Sequence, residues 1–126
     1  MSSFVQNIAF DCADPYKLAS FWSKVVDRPQ AEEDFPGDPE AIIELAAGGL
    51  TLFFQRVPEE KSVKNRVHVC LRPSDRTRDQ EVGRLLEIGA GFVSDHREPD
   101  GTGWVVLADP EGNEFCILRS PGELAY

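Results

Sequence analysis

Basic side chains are in short supply: 13 Lys and Arg stand against 22 Asp and Glu, for a formal net charge of −9. With no compensating Lys/Arg stripe, a phosphate backbone is repelled, so nucleic acid is not an expected partner. No apolar run approaches the roughly 20 residues that a membrane-spanning helix needs. The start of the chain, Met1-Ser2-Ser3-Phe4, lacks a basic stretch followed by an apolar one,. These absences predict a cytoplasmic protein with no membrane partner. Cysteine is scarce too. Cys12, Cys70 and Cys116 form no CxxC pair, and an odd count of isolated cysteines fits reduced thiols better than a disulfide framework or a structural zinc site. A glycine-rich phosphate loop, a GxSxG elbow and an HExxH helix are all missing, so nucleotide hydrolysis, α/β-hydrolase chemistry and zincin chemistry have no support.

What is present is globular. Hydrophobic residues make up 41% and charged residues 28% of 126 positions, which suits one domain that buries about two-thirds of its unfolded surface. Phe4 to Cys12 reads as a strand that runs into Asp14-Pro15, an N-cap followed by proline at the first helical position. Leu18, Phe21, Trp22, Val25 and Val26 then recur at spacings of three and four, one apolar face of a helix. After a polar stretch come Ala41 to Ala46, the turn Gly48-Gly49 and Leu50 to Gln55, which read as a hairpin. The polar segment from Pro58 to Asn65 is a surface connector.

The second half repeats this order. Arg66 to Leu71 is a strand; Pro73-Ser74-Asp75 opens a helix with Val82, Leu85 and Leu86 inward; Gly89-Ala90-Gly91 stops it. Phe92-Val93-Ser94, the turn Pro99-Asp100-Gly101, the strand Trp104 to Ala108, the turn Asp109 to Asn113 and the strand Glu114 to Arg119 follow. The separation of Asn7 from His68 nearly equals that of Gly49 from Gly112, as a duplication requires. The expectation is one α+β domain over residues 1–126, built from two βαβββ modules (1–57 and 66–120). Their strands form a curved, partly open mixed sheet around a cleft, with helices outside.

Several segments in this order resemble one family: Asn7-Ile8-Ala9-Phe10-Asp11-Cys12-Ala13-Asp14-Pro15 with Phe21-Trp22, Phe54-Gln55-Arg56-Val57-Pro58-Glu59, Asn65-Arg66-Val67-His68-Val69, and above all Ala108-Asp109-Pro110-Glu111-Gly112-Asn113-Glu114-Phe115. The chain resembles the vicinal-oxygen-chelate superfamily, the glyoxalase/bleomycin resistance protein/dioxygenase type, in particular its small bacterial glyoxalase-like domains. The resemblance implies metal ligands, usually His, Gln or Glu, on the first and last strands of each half. It carries them to Asn7, Phe53, His68 and Cys116, and it also implies a homodimer. Fold alone does not settle function.

Only His68 keeps an ordinary ligand. Phe53 has no donor, Asn7 has a neutral carbonyl oxygen, and Cys116 sits in an apolar strand that raises a thiol pKa. The expectation is therefore no metal and no cofactor; a divalent ion, if held, would rest on His68, Asn7 and Cys116. His68 is the candidate catalytic residue, as acid, base or hydrogen-bond anchor, or else a histidine satisfied by its neighbours. Alternation places Cys70 beside it in a Cys/His arrangement, and places Asp11 with Asn7 and Glu114 with Cys116. Trp104 is a stacking wall for a flat ligand or a cover for the core, whereas His96 shows no partner in the sequence. The candidate ligand-binding set is Asn7, Asp11, Phe53, His68, Cys70, Trp104, Glu114 and Cys116. The leading expectation is a cleft that binds a small organic molecule without the family's metal. The alternatives are a lyase, isomerase or dioxygenase using His68 with an atypical ligand set, and a protein-interaction module.

Overall fold

The computed structural model describes residues 2–125, and its contacts divide the chain into two compact units, Met1–Glu60 and Lys61–Tyr126. The class is α+β: among the described residues each unit holds one α-helix and one mixed sheet, of three strands in the first and four in the second, and a 3-10 helix (Pro121–Ala125) ends the second.

In the first unit β1 (Asn7–Cys12) leads into α1 (Pro15–Val26). The Asp14 carboxylate accepts from the backbone N–H of Lys17 at 3.2 Å, which satisfies one of the donors left open at a helix start,. β2 (Glu40–Glu44) and β3 (Thr51–Arg56) complete a sheet in the order β1-β3-β2, with β1 parallel and β2 antiparallel to β3. Alternation sorts its faces. Ala41, Ile43, Leu52 and Phe54 are buried together with Leu18, Phe21, Trp22 and Val25 of α1. Phe10 lies 5.2 Å from both the Trp22 and the Phe54 rings, an aromatic cluster that ties helix to sheet,.

The first half was expected to carry a further strand, and here the structure differs. Where it would run, a single bridge joins Gln30 to Ile43. Pro29 has no N–H to give a ladder, and the run from Glu32 to Pro39 is rich in charge, Pro and Gly, which disfavours continued pairing. This unit is βαββ.

In the second unit β4 is short, Val69–Leu71, although the sequence predicts a strand from Arg66. The backbone N–H of Glu114 donates to the Asn65 side chain at 3.0 Å, so a side chain occupies the donor that would extend the ladder to His68. α2 (Arg78–Glu87) starts later than Pro73-Ser74-Asp75 predicts. Thr77 and Gln80 close a reciprocal capping box instead, while the Asp75 carboxylate holds Arg76,. Its inward face is Arg78, Glu81, Val82 and Leu85; Leu86, expected inward, lies one step past that stripe and is 39% exposed,. β5 (Gly91–Asp95), β6 (Val105–Ala108) and β7 (Glu114–Ile117) follow. The sheet order is β4-β7-β6-β5, with only β4 and β7 parallel.

Phe115, Ile117, Val105 and Leu107 are fully buried on one face of this sheet, and Val82 and Leu85 of α2 are buried with them. The turn from Asp109 to Asn113 is built by one side chain: Asp109 accepts from the N–H groups of Glu111 and Asn113, each at 2.9 Å, and from the Asn113 amide at 3.0 Å,. Among the described residues no helix is long and apolar enough to cross a membrane.

Arg78 is buried, yet its guanidinium donates to the carbonyls of Gly101, Thr102 and Gly103 at 3.0–3.1 Å and to Asp79 at 3.0 Å. It fastens the helix start to the tip of the β5–β6 hairpin. Arg78→Met keeps the aliphatic bulk and orphans those carbonyls, and it is expected to lower unfolding free energy by about 2–3 kcal/mol. Urea denaturation with an unchanged slope measures this; a shift within experimental error would mean that the contacts contribute nothing.

Candidate functional site

The face of the second sheet opposite the Phe115–Ile117 core is not closed. Cys70 pairs with Cys116, and Cys116 with Val106, in adjacent strands, so these three side chains leave the sheet on one side,. A register shift between Phe92 and Ser94 brings both Val93 and Ser94 to that side as well,. The result is a cavity of about 310 Å³ lined by these residues, Lys64, His68, His96, Trp104, Glu114 and Leu118. Its walls are mainly apolar, with a few convergent polar groups. That is the composition of a small-molecule pocket, and the volume lies at the low end of the usual range. A second hollow shares His96, Trp104 and Leu118, but its remaining lining includes Arg72, Glu98 and Arg119.

Trp104 is 42% exposed, and the His96 ring stacks on it at a centroid distance of 4.9 Å and an interplanar angle of 15°. The Nε2 atom of His96 lies 2.9 Å from the Ser94 hydroxyl. His96 thus has two partners where the sequence showed none. The hairpin forces the pair together. Gly101 N–H donates to Glu98, Glu98 to Thr102 and His96 to Trp104, at 2.9–3.0 Å. Gly103 makes this approach feasible: its φ is +94°, and a Cβ there would lie 2.0 Å from the His96 carbonyl oxygen,.

Glu114 lines the cavity but is engaged. Its carboxylate bonds the Lys64 ammonium, lies 3.6 Å from Lys61 and accepts from the Asn65 N–H at 3.3 Å. The Lys64 contact holds its pKa below the ordinary carboxylate value,. It anchors the connector more than it offers a free anion. Cys116 is a neutral thiol near pH 7, because burial, and then the Cys70 thiol beside it, push its pKa up to about 11. That argues against an activated nucleophile at this position. His68, Cys70 and Cys116 present their ligand atoms within 4.8 Å of one another.

In the first unit Asn7, Ala9 and Asp11 lie on the same face of the sheet as Thr51, Phe53 and Gln55, their partners in register. Asn7 and Asp11 are exposed and Phe53 is half-buried. A phenyl ring and a neutral amide at two of the four ligand positions that the resemblance implies do not fit a hard divalent ion, which needs oxygen or nitrogen donors at about 2.0–2.6 Å.

Comparisons with known proteins agree on the fold. A family model described as a glyoxalase-like domain matches residues 7–118. The chain is similar to oxidase ChaP-H2, with 21% identity, 96% of each chain covered and a TM-score of 0.67. It is similar to the fosfomycin resistance protein FosX from Listeria monocytogenes, a mutant complexed with Mn(II) and a dihydroxypropylphosphonic acid, with 15% identity, 98% of each chain covered and a TM-score of 0.72. TioX from Micromonospora sp. ML1 gives 18% identity, 93% of this chain and 98% of that one covered, and a TM-score of 0.63. At these identities the likeness concerns the fold alone. Comparison with curated proteins gives no match.

Two outcomes follow from this geometry. Gly103→Ala is expected to lose more than about 1 kcal/mol of stability and to alter the near-ultraviolet dichroism of Trp104; an unchanged spectrum would show that the hairpin does not need glycine there. Glu114 has a depressed folded-state pKa, so its stabilising contribution is full above the ordinary carboxylate pKa and vanishes as pH falls through the depressed one. The stability difference between wild type and Glu114→Gln should therefore shrink on acidification, and a pH-independent difference would contradict the ion-pair account.

Proposed function

The chain belongs to the glyoxalase-like domain family of the vicinal-oxygen-chelate superfamily, and from that premise we propose that it binds a small, largely apolar organic molecule without the four-position divalent site that the family resemblance implies. The observation that carries this reading is the Trp104–His96 stack standing beside an open cavity of about 310 Å³ with Val93, Val106 and Leu118 in its walls. Trp104, stacked on one side by His96 and still 42% exposed as a residue, leaves apolar surface available to a partner,. A flat aromatic ring laid against it would displace water from both surfaces, while Ser94, His68 and the cationic Lys64 supply hydrogen bonds that orient the ligand. His68 acts in this reading as an anchor rather than as a metal ligand of the family's kind. The protein works in the cytoplasm, where Cys12, Cys70 and Cys116 stay reduced, and as a homodimer, the arrangement the family resemblance implies.

The test is a panel of planar aromatic compounds followed by thermal shift and by quenching of tryptophan fluorescence. At least one compound should raise the unfolding midpoint in a saturable way. Trp104→Ala should weaken it by roughly fivefold or more, about 1 kcal/mol of ring contact, and added Mg²⁺ or Mn²⁺ should leave the affinity unchanged. Binding that survives Trp104→Ala, or that appears only with those ions, would overturn the proposal.

A further inference from the structure

The same cavity holds a feature that organic binding uses only through His68. Cys70 and Cys116 sit side by side in adjacent parallel strands, and His68 reaches the same point from the residue just before β4. Their Nδ1 or Nε2 and Sγ atoms all lie within 4.8 Å of one another, and all three side chains open on the cavity. Around one tetrahedral ion with metal–sulfur bonds of about 2.3 Å, neighbouring ligand atoms stand about 3.8 Å apart. Small side-chain rotations close that gap. Sequence spacing hides the set, because Cys70 and Cys116 are far apart along the chain and form no CxxC motif.

We propose that His68, Cys70 and Cys116 form a binding site for one thiophilic metal ion of the Zn²⁺ class. The donors are one imidazole nitrogen and two sulfurs from a single unit, a soft set that selects against Mg²⁺ and Mn²⁺. It differs in chemistry and membership from the implied four-position set: Asn7 and Phe53 contribute nothing, and Cys70 is added. Binding would release the thiol protons, the ion supplying the charge that stabilises both thiolates. Three protein ligands leave a fourth position open for water or for a donor atom of a bound molecule, as in zinc sites that do chemistry rather than hold a fold together.

The experiment is a Co²⁺ titration of the whole chain, kept reduced and freed of metal, with no organic ligand present. One equivalent should saturate it and give thiolate-to-metal charge-transfer absorption with the intense visible bands of tetrahedral cobalt, and Zn²⁺ should abolish both. Cys70→Ser, at an exposed position where folding is expected to be kept, should remove about half of the charge-transfer intensity. His68→Gln should weaken binding at least tenfold. Should Cys116→Ser fail to fold, these two variants decide the matter. Absence of charge transfer in the reduced protein, saturation only at millimolar cobalt, or a spectrum unchanged by Cys70→Ser overturns the proposal. A chain that binds aromatic compounds but no cobalt keeps the organic-ligand reading and loses this one.

Discussion

The pleat of β7 is the constraint on which the rest of the second unit depends. Phe115 and Ile117 point into a sealed core, so Glu114 and Cys116 must leave the sheet on the other side,. Because Cys116 is in register with Cys70 on one side and with Val106 on the other, a single choice of face builds a floor of two thiols and a valine. A one-residue slip would turn the thiols toward the core and move two large apolar side chains to the cavity face. Burying a Phe and an Ile stabilises by roughly 1.5–3 kcal/mol each, so the hydrophobic pattern that folds the unit also fixes which chemistry faces the cavity.

The walls are then a matter of positioning. Arg78, buried at the start of α2, holds the hairpin tip through three carbonyls, and Gly103 lets the two arms come close enough for His96 to stack on Trp104. Glu114 binds the Lys61–Asn65 connector to the opposite end. An apolar cavity is thus framed by polar contacts that lie mostly at its edges, where charged groups remain partly hydrated and need less desolvation.

Much of this was legible in the residues. Asp14-Pro15 marks the start of α1, and the turn from Asp109 to Asn113 ends β6 where its Asx geometry requires. Strict alternation places His68 with Cys70 and Glu114 with Cys116 along one cavity. Other parts were hidden for physical reasons. The role of Arg78 has no local mark, since nothing in the neighbouring residues reveals that a distant hairpin will cover it. The missing strand of the first unit depends on Pro29 and on a charged loop overriding a duplicated pattern. The His96–Trp104 stack did leave a trace: folding the chain about Pro99-Asp100-Gly101 sets residues 96 and 104 opposite each other, a register that the turn itself encodes.

The Cys70–Cys116 pairing supports both the cavity and the metal site, and it is open to direct observation. Nuclear Overhauser contacts in the isotope-labelled, reduced protein should link the β-protons of Cys116 to those of Cys70 and to the Val106 methyls, and the Trp104 indole to the His96 ring. Contacts from the Cys116 β-protons to the Val82 and Leu85 methyls instead would place the thiol in the core and contradict the account.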